Sequence, residues 1–525
     1  MSARAYSQEI PQSISSYGIY DFIDELANDG LISVNSAIKP YSRLFIAQKL
    51  EEVSSNERDK LSVRQQKELD FYLLDFGKET GAYTNSRVQW LKGAGSKKRW
   101  DLFYYKDSLF SITVNPILGG EMFANSSGNA NYWRNGIEAS SYIGHWGFYA
   151  SLRDNHETPY LGLPDYLTTR VDGDNKEKNS WEEMRGGVTW SWKWGSAGLV
   201  KDQMQWGSNY HGANIFGGNN PSFIQFRLNL HPVKWFQFNY FHGWLTSMVI
   251  DSSKSYWVVN SYGRSYRDVY HKKFIAANMF TFTPARNLNL SAGNSIVYSD
   301  IDFYPGYLVP VFFFKAVDHY VNQGIDNMNS QMFFDISSRQ LRHLHLYGTL
   351  YIDELSIPRI FKKDQWNYFS WKGGMRVTDF PVQNLSFTTE FTYTYPLAFQ
   401  HYVSTLTFQT NSYNLGYYLK DNSREWYMAF DYRPFRTLNI NLFFSDAIRG
   451  PDYTELGTPR LGNPPLAVIN WHNTSFGLKA GYQIINDLYS WLGFTWSDIA
   501  GDSRWSPPFL YGRKTTINAG VTMGF

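Results

Sequence analysis

The sequence predicts an all-β transmembrane fold: a closed antiparallel outer-membrane β-barrel of about 18 strands with a small N-terminal α-helical bundle. Three observations predict it. Apolar and polar residues alternate with a period of two from about residue 98 to the end. Aromatic residues make up 18% of the chain, a load that suits a lipid-facing wall and its two interfacial girdles. The connections between alternating segments are short and long by turns, as when short turns face one side of a membrane and long loops the other.

Residues 1–97 read as a periplasmic helical bundle with a lead-in. Ile19, Phe22, Ile23 and Leu26 recur at helical spacing and make one apolar face, and Gly30 follows as a stop. Pro40 and Ser42 open a second helix with Leu44, Phe45, Ala47 and Leu50 inward. Ser62 and Gln65 have the spacing of a capping box for a third, which continues through Leu69, Tyr72, Leu73 and Phe76. Three short helices bury little surface, so the bundle is expected to dock on something.

Residues 98–525 read as the barrel. Ile517, Ala519, Val521, Met523 and Phe525 share one strand face, and Thr516, Asn518, Gly520, Thr522 and Gly524 the other. Ile224, Phe226, Leu228 and Leu230 return through His231-Pro232-Val233-Lys234 as Phe236, Phe238 and Tyr240. Trp426, Met428, Phe430 and Tyr432 return through Arg433-Pro434-Phe435-Arg436 as Leu438, Ile440 and Leu442. Short turns fall near Gly144, Gly195, Pro232, Pro284, Arg339, Pro381, Pro434 and Asn486. Long connections fall at 155–181, 207–220, 248–269, 300–328, 396–423, 449–467 and 499–510. The first strand starts near Leu109, and an even count puts both barrel ends on the periplasmic side. Sixteen or twenty strands are the alternatives, with Trp100 to Lys106 the segment that decides. Leu, Ile, Phe, Tyr and Trp are expected toward lipid, and Asn, Gln, Arg, Asp and Thr toward the lumen. The helical bundle and loop 300–328 are candidate plugs.

Composition excludes several classes. The net charge of +2 argues against nucleic acid as a partner. The absence of cysteine removes disulfides, thiolate metal sites, a cysteine nucleophile and a lipidated cysteine. No run of 18 apolar residues is present to form a transmembrane helix; the densest run, Leu308 to Phe314, is short and holds Pro310. The mean hydropathy of -0.41 fits a wall in which only alternate residues meet lipid. Met1 to Ala5 carries no apolar signal core, so an export signal is expected to have been removed or not included.

Several segments resemble a known family. "IYDFIDELANDGLISVNSAIKPYSRLFIAQKL" resembles the N-terminal bundle of the Wzi family of capsule-assembly outer-membrane proteins, which includes the RemB-like gliding-motility proteins of Bacteroidota. "KDQMQWGSNY" resembles its Trp-Gly strand end, and "DNMNSQMFFD" and "LYGTLYIDEL" its mid-barrel strands. "YNLGYYLKDNSREWYMAFDYRP" resembles a late segment in which a Gly-rich loop enters a strand. The resemblance implies an 18-stranded barrel and a cell-surface role: lectin-like binding of polysaccharide in the capsule members, adhesion and gliding in the RemB-like ones. The long loops of this chain leave the ligand open.

Candidate ligand-binding residues lie in the outer loops and mouth: Tyr160, Tyr166, Trp257, Tyr304, Tyr307 and Tyr453, joined by Gln205 and Trp206 at a strand end. Aromatic rings stack on sugar CH faces while amides and charged groups bond the hydroxyls. Interfacial girdle rings and loop packing compete for each of them singly. Asp172, Asp174 and Asn175 are oxygen donors without calcium-loop spacing. His343 and His345 are expected as inward neighbours two apart on a strand; with Asp353 they suggest a metal, but a histidine pair without a third ligand is more often lumen lining, and lumen carboxylates such as Asp335 and Asp353 are expected to pair with arginine. No phosphate loop, zinc-protease motif or nucleophilic triad is legible, so neither an enzyme nor a cofactor is expected.

Three functions remain. A non-enzymatic barrel that binds or organises surface polysaccharide requires a platform of loops and a closed lumen. A transport channel requires an open one. A structural subunit of an envelope machine for gliding, secretion or uptake requires protein partners. Outer-membrane lipid and lipopolysaccharide are expected neighbours in all three.

Overall fold

A computed structural model describes residues 9–81, 101–159, 161, 174–177, 179–321, 327–453, 464–485 and 487–524. Eighteen long antiparallel strands close the barrel. They are β1 (Phe110–Asn125), β2 (Gly128–Ile143), β3 (Trp146–Thr158), β4 (Ser180–Trp192), β5 (Gly195–Asp202), β6 (Phe223–Val233), β7 (Phe236–Ile250), β8 (Tyr270–Ala285) and β9 (Leu288–Ser299). The round continues with β10 (Met328–Ser338), β11 (Leu344–Glu354), β12 (Tyr368–Thr378), β13 (Leu385–Thr394), β14 (Ser423–Phe435), β15 (Leu438–Arg449), β16 (Trp471–Ile485), β17 (Leu488–Gly501) and β18 (Gly512–Met523). Each strand pairs with its neighbours in sequence, and β18 seals the wall against β1, with Ile517 opposite Ala124 and Met523 opposite Leu118. Closure is what lipid demands, because an unpaired backbone group there costs several kcal/mol.

Local chemistry explains the short turns. A tight hairpin needs residues in the left-handed backbone region, which glycine, asparagine and aspartate reach most readily. Gly144, Asn287, Asn384 and Asp487 occupy it with φ of 57°, 62°, 64° and 62°. The segment 100–106 resolves the strand count: Phe103–Lys106 pairs only with the start of β1 and adds no new wall strand. Two outer connections depart from the expected pattern. Asn125 pairs with Gly128, so β1 and β2 join through a tight hairpin, and the connection between β11 and β12 holds a single helical turn, Ile357–Ile360.

The wall faces follow the alternation. Ile336, Trp426, Ile517 and Val521 point outward and stay exposed. The lumen face is polar only in part. Phe241, Ile275, Met279, Phe333 and Tyr351 point inward and join a buried cluster with Trp206, Phe216, Phe399 and Phe408. The reason is that the connections 203–222 and 395–422 turn back into the barrel, and their apolar side chains need an apolar wall.

The helices form as the caps direct. α1 (Tyr17–Asn28) ends at Gly30 with φ 76°. α2 (Arg43–Asn56) starts at Ser42, whose hydroxyl accepts from the Phe45 amide. α3 (Val63–Thr80) carries the full Ser62/Gln65 capping box. Phe22, Ile23, Leu26, Ile46, Leu50, Leu69 and Phe76 make their common core. The bundle closes the short-turn end of the barrel, the periplasmic side in outer-membrane barrels. Loop 300–328 is not a second plug. Its described part lies on the outside of the wall, against Phe238, Tyr240, Phe274 and Tyr298, so that Phe238 and Tyr240 face outward yet are buried.

Candidate functional site

The lumen is a column built from three parts of the chain. From below, residues 31–39 rise out of the bundle. From above, residues 203–218 descend, and the two meet as a two-residue sheet with Ile38 opposite Trp206. The Gly207 amide donates to the Ala37 carbonyl at 2.8 Å, and the Trp206 ring stands edge-on to Phe216 and Phe241 at 5.2 and 5.3 Å. Wall carboxylates hold the descending segment: Asp335 accepts from the Ser208 amide at 2.7 Å, and Glu390 from the amides of Tyr210 and His211 at 2.6 and 3.1 Å. Lys372 balances Glu390 at 2.7 Å, with both side chains almost wholly buried. Asp335 therefore bonds backbone where an arginine partner was expected. His345 bonds Tyr210 and Ser337 at 2.8 Å through its two ring nitrogens, which leaves neither free for a metal. His343 is not its lumen neighbour but sits in a periplasmic turn, 2.9 Å from Asp29.

The bundle is latched to the periplasmic turns by charge. Arg339 donates to Asn28, Asp24 and Ser36 at 2.7, 2.8 and 2.7 Å. Arg433 reaches Asp21 and Glu68 at 2.8 and 3.3 Å, and Arg64 reaches Asn384 at 2.7 Å while also pairing with Glu25 and Glu68. Glu25, Asp29 and Asp379 bring carboxylate oxygens within 4.8 Å of one another. The amide nitrogen of Gln65 lies 2.7, 2.9 and 3.1 Å from the three, sharing its two N–H donors among them, and so occupies the centre a cation would take. Burial and then the charge of Glu25 push Asp29 up to about 6, and burial with Glu25 and Asp29 pushes Asp379 up to about 7. Burial alone would raise Glu25, but the Arg64 guanidinium outweighs it and holds the carboxyl below its ordinary value.

A cavity of about 360 Å³ lies between α3 and the wall. Arg43, Asp75, Arg185 and Lys479 supply charge to it, and Tyr149 and Trp491 supply rings. Such a lining can stack on a ring and bond hydroxyls. The arginines of the latch and this cavity were not legible as site residues. The latch bonds between bundle and turns join residues 300 and more apart in sequence, as Arg339 is from Asp24, and no local spacing reports that.

The structure does not gather the predicted site residues into one place. Trp206 is buried in the lumen column and Gln205 is half-buried beside Lys39, not at a strand end leaving the membrane. The cause is that β5 ends at Asp202 and the chain folds inward. Tyr453 is buried in the same lumen cluster. Tyr304 and Tyr307 lie outside the barrel against the wall. Among the described candidates, Trp257 is exposed, at 55%, on a ribbon of Tyr256–Asn260 and Gly263–Arg267, where its ring meets Tyr266 and carries the Arg264 guanidinium at 4.2 Å. Tyr160, Tyr166 and Asp172 lie outside the described residues, as do the side chains of Asp174 and Asn175.

Fold and column together define a plugged outer-membrane β-barrel. No protein-family model matches the sequence, and no curated protein does. Among solved structures, the chain is similar to Wzi of Escherichia coli, described as an outer-membrane protein involved in group 1 capsule assembly and a carbohydrate-binding β-barrel. The match has 11% identity and a TM-score of 0.59, and covers 99% of this chain and 100% of that one. It is more distantly similar to OccD3 of Pseudomonas aeruginosa (11% identity, TM-score 0.43, 78% and 90% covered) and to OccAB2 of Acinetobacter baumannii (10%, 0.43, 79% and 98%). The chain thus has the fold of Wzi and lies in the outer membrane.

Proposed function

We propose that this protein is a non-enzymatic, non-conducting barrel that binds or organises cell-surface polysaccharide at the outer leaflet, in the manner of a capsule-assembly lectin. The observation that carries the reading is the filled lumen: Trp206, Phe216, Phe333 and Phe408 pack where a channel would hold water. A transport function has no use for such a core, whereas a binding platform needs rigid support beneath its loops. The full-length likeness to a carbohydrate-binding barrel supports sugar as the ligand class. The exposed aromatic ribbon around Trp257 favours a second reading, a subunit of an envelope machine for gliding, secretion or uptake.

The test is to purify the intact protein in mild detergent, measure its binding to immobilised extracellular polysaccharide from its own cells, and record planar-bilayer current. Saturable glycan binding without stepwise conductance is the expected result. Steady conductance with no glycan binding would return the protein to the transporters. Stoichiometric co-purification of an envelope protein, again without glycan binding, would favour the second reading.

A further inference from the structure

We infer that residues 303–314 form a strap immersed in the outer leaflet, whose partner is the acyl chains of membrane lipid. The starting point is a group of polar side chains on the wrong face of the wall. Tyr240, His242, Asn278, Asn294 and Tyr298 stand in register with outward-facing residues of β7, β8 and β9, with Tyr240 opposite Asn278 and Asn278 opposite Asn294. All five are buried. Asn278 lies seven residues above Ala285, the periplasmic end of β8. A tilted strand climbs roughly 2.5 Å per residue, so Asn278 sits roughly 17 Å up an apolar band roughly 25 Å tall. That is the outer half of the hydrocarbon, where a bare amide has no partner.

The strap supplies the partners. The Asn278 amide donates to the carbonyls of Pro310 and Phe312 at 2.8 and 2.9 Å, and the Asn294 oxygen accepts from the Phe314 amide at 2.9 Å. Tyr240 donates to the Tyr307 carbonyl at 2.6 Å, and Tyr298 meets His242 at 2.7 Å. The strap's own amides turn inward: Tyr307 donates to Tyr304 and Phe312 to Val309, while Pro310 has no N–H to satisfy. Irregular backbone survives at membrane depth only when its polar groups are paired in this way. Between Asp302, paired with Lys272 at 2.7 Å, and the exposed Lys315, the outer surface of the strap is Leu308, Val309, Val311, Phe312 and Phe313, all exposed. Phe303 stacks parallel to Trp244 on the wall, and the apolar face runs on into Phe334 and Ile336 of β10. It is therefore continuous with the lipid-facing surface of the barrel, and lipid is its occupant.

The absence of cysteine makes the test direct, since any introduced thiol is unique. Val311→Cys in the full chain is labelled with an environment-sensitive fluorophore and refolded into phosphatidylcholine vesicles. Ile336→Cys on the wall and Val259→Cys on the exposed ribbon serve as lipid and water references. The Val311 label should emit at short wavelength like Ile336 and be quenched several-fold more by nitroxides on the acyl chain than by aqueous iodide. Water-like emission with iodide quenching would overturn the proposal. So would short-wavelength emission that acyl-chain nitroxides leave unchanged, which would mean that protein covers the strap. Phe313→Cys reads the same surface should the first variant fold poorly.

Discussion

Arg339 shows how much of the plug rests on single side chains. It is 3% exposed, and three donors of one guanidinium hold α1 and the residue Ser36 beyond it. Removing it strands Asp24 in a buried site, at a cost of about 3 kcal/mol, because Lys39 remains within 3.9 Å as a poor substitute. Arg339→Ala should therefore raise hydrogen-exchange rates in α1 roughly a hundredfold while strands β1 to β18 stay protected, as mass spectrometry would report. The acidic cluster adds a pH dependence. Asp29 and Asp379 have folded values above their unfolded ones, so their contribution is full below the ordinary carboxylate range and is lost as pH rises through about 6 and 7. Glu25 runs the other way: its contribution holds above its unfolded value and is lost as pH falls through its lowered one. Exchange protection of α1, corrected for intrinsic rate, should rise from pH 8 to about pH 5.5 and decline again below the carboxylate range. Asp379→Asn should flatten the upper limb, and an unchanged limb would remove the cluster from the account.

Among the elements, the connections 203–222 and 395–422 together fill the lumen. The backbone amides of the first occupy Asp335 and Glu390, and His211 stands 3.0 Å from Glu425. Deleting residues 208–217 together with residues 1–81 would expose Asp335, Glu390 and Glu425 to water alongside Lys372 and Arg376 on the same wall. That variant should pass more current in planar bilayers than the intact chain; an insulating double deletion would show that connection 395–422 seals the lumen. Elements were also where reading from sequence succeeded and failed most clearly. The capping box at Ser62 and Gln65, the stop at Gly30 and the hairpin at Pro232 are local chemistry and were legible. The fate of a long loop was not. Connections 203–222 and 300–328 look alike as strings of aromatic and amide residues, yet one descends inside and the described part of the other lies outside. What separates them is which wall face carries a matching surface: Phe241 and Phe333 inside, Asn278 and Asn294 outside. That matching is a property of strand register several strands away.

For the whole molecule, alternation and turn chemistry were enough to yield a closed wall with lipid outside, because one closed sheet satisfies the backbone and the side chains together. They did not yield the candidate site, since its parts come from distant stretches: Arg43 from α2, Arg185 from β4 and Lys479 from β16 line the same cavity. The latch has a consequence for chronology. The bundle precedes every wall strand in the chain, but the side chains that hold it, Arg339, Asp379, Asn384 and Arg433, belong to turns between β10 and β15. The bundle can therefore seat fully only once those turns are in place, so its seating follows the closing of that part of the sheet.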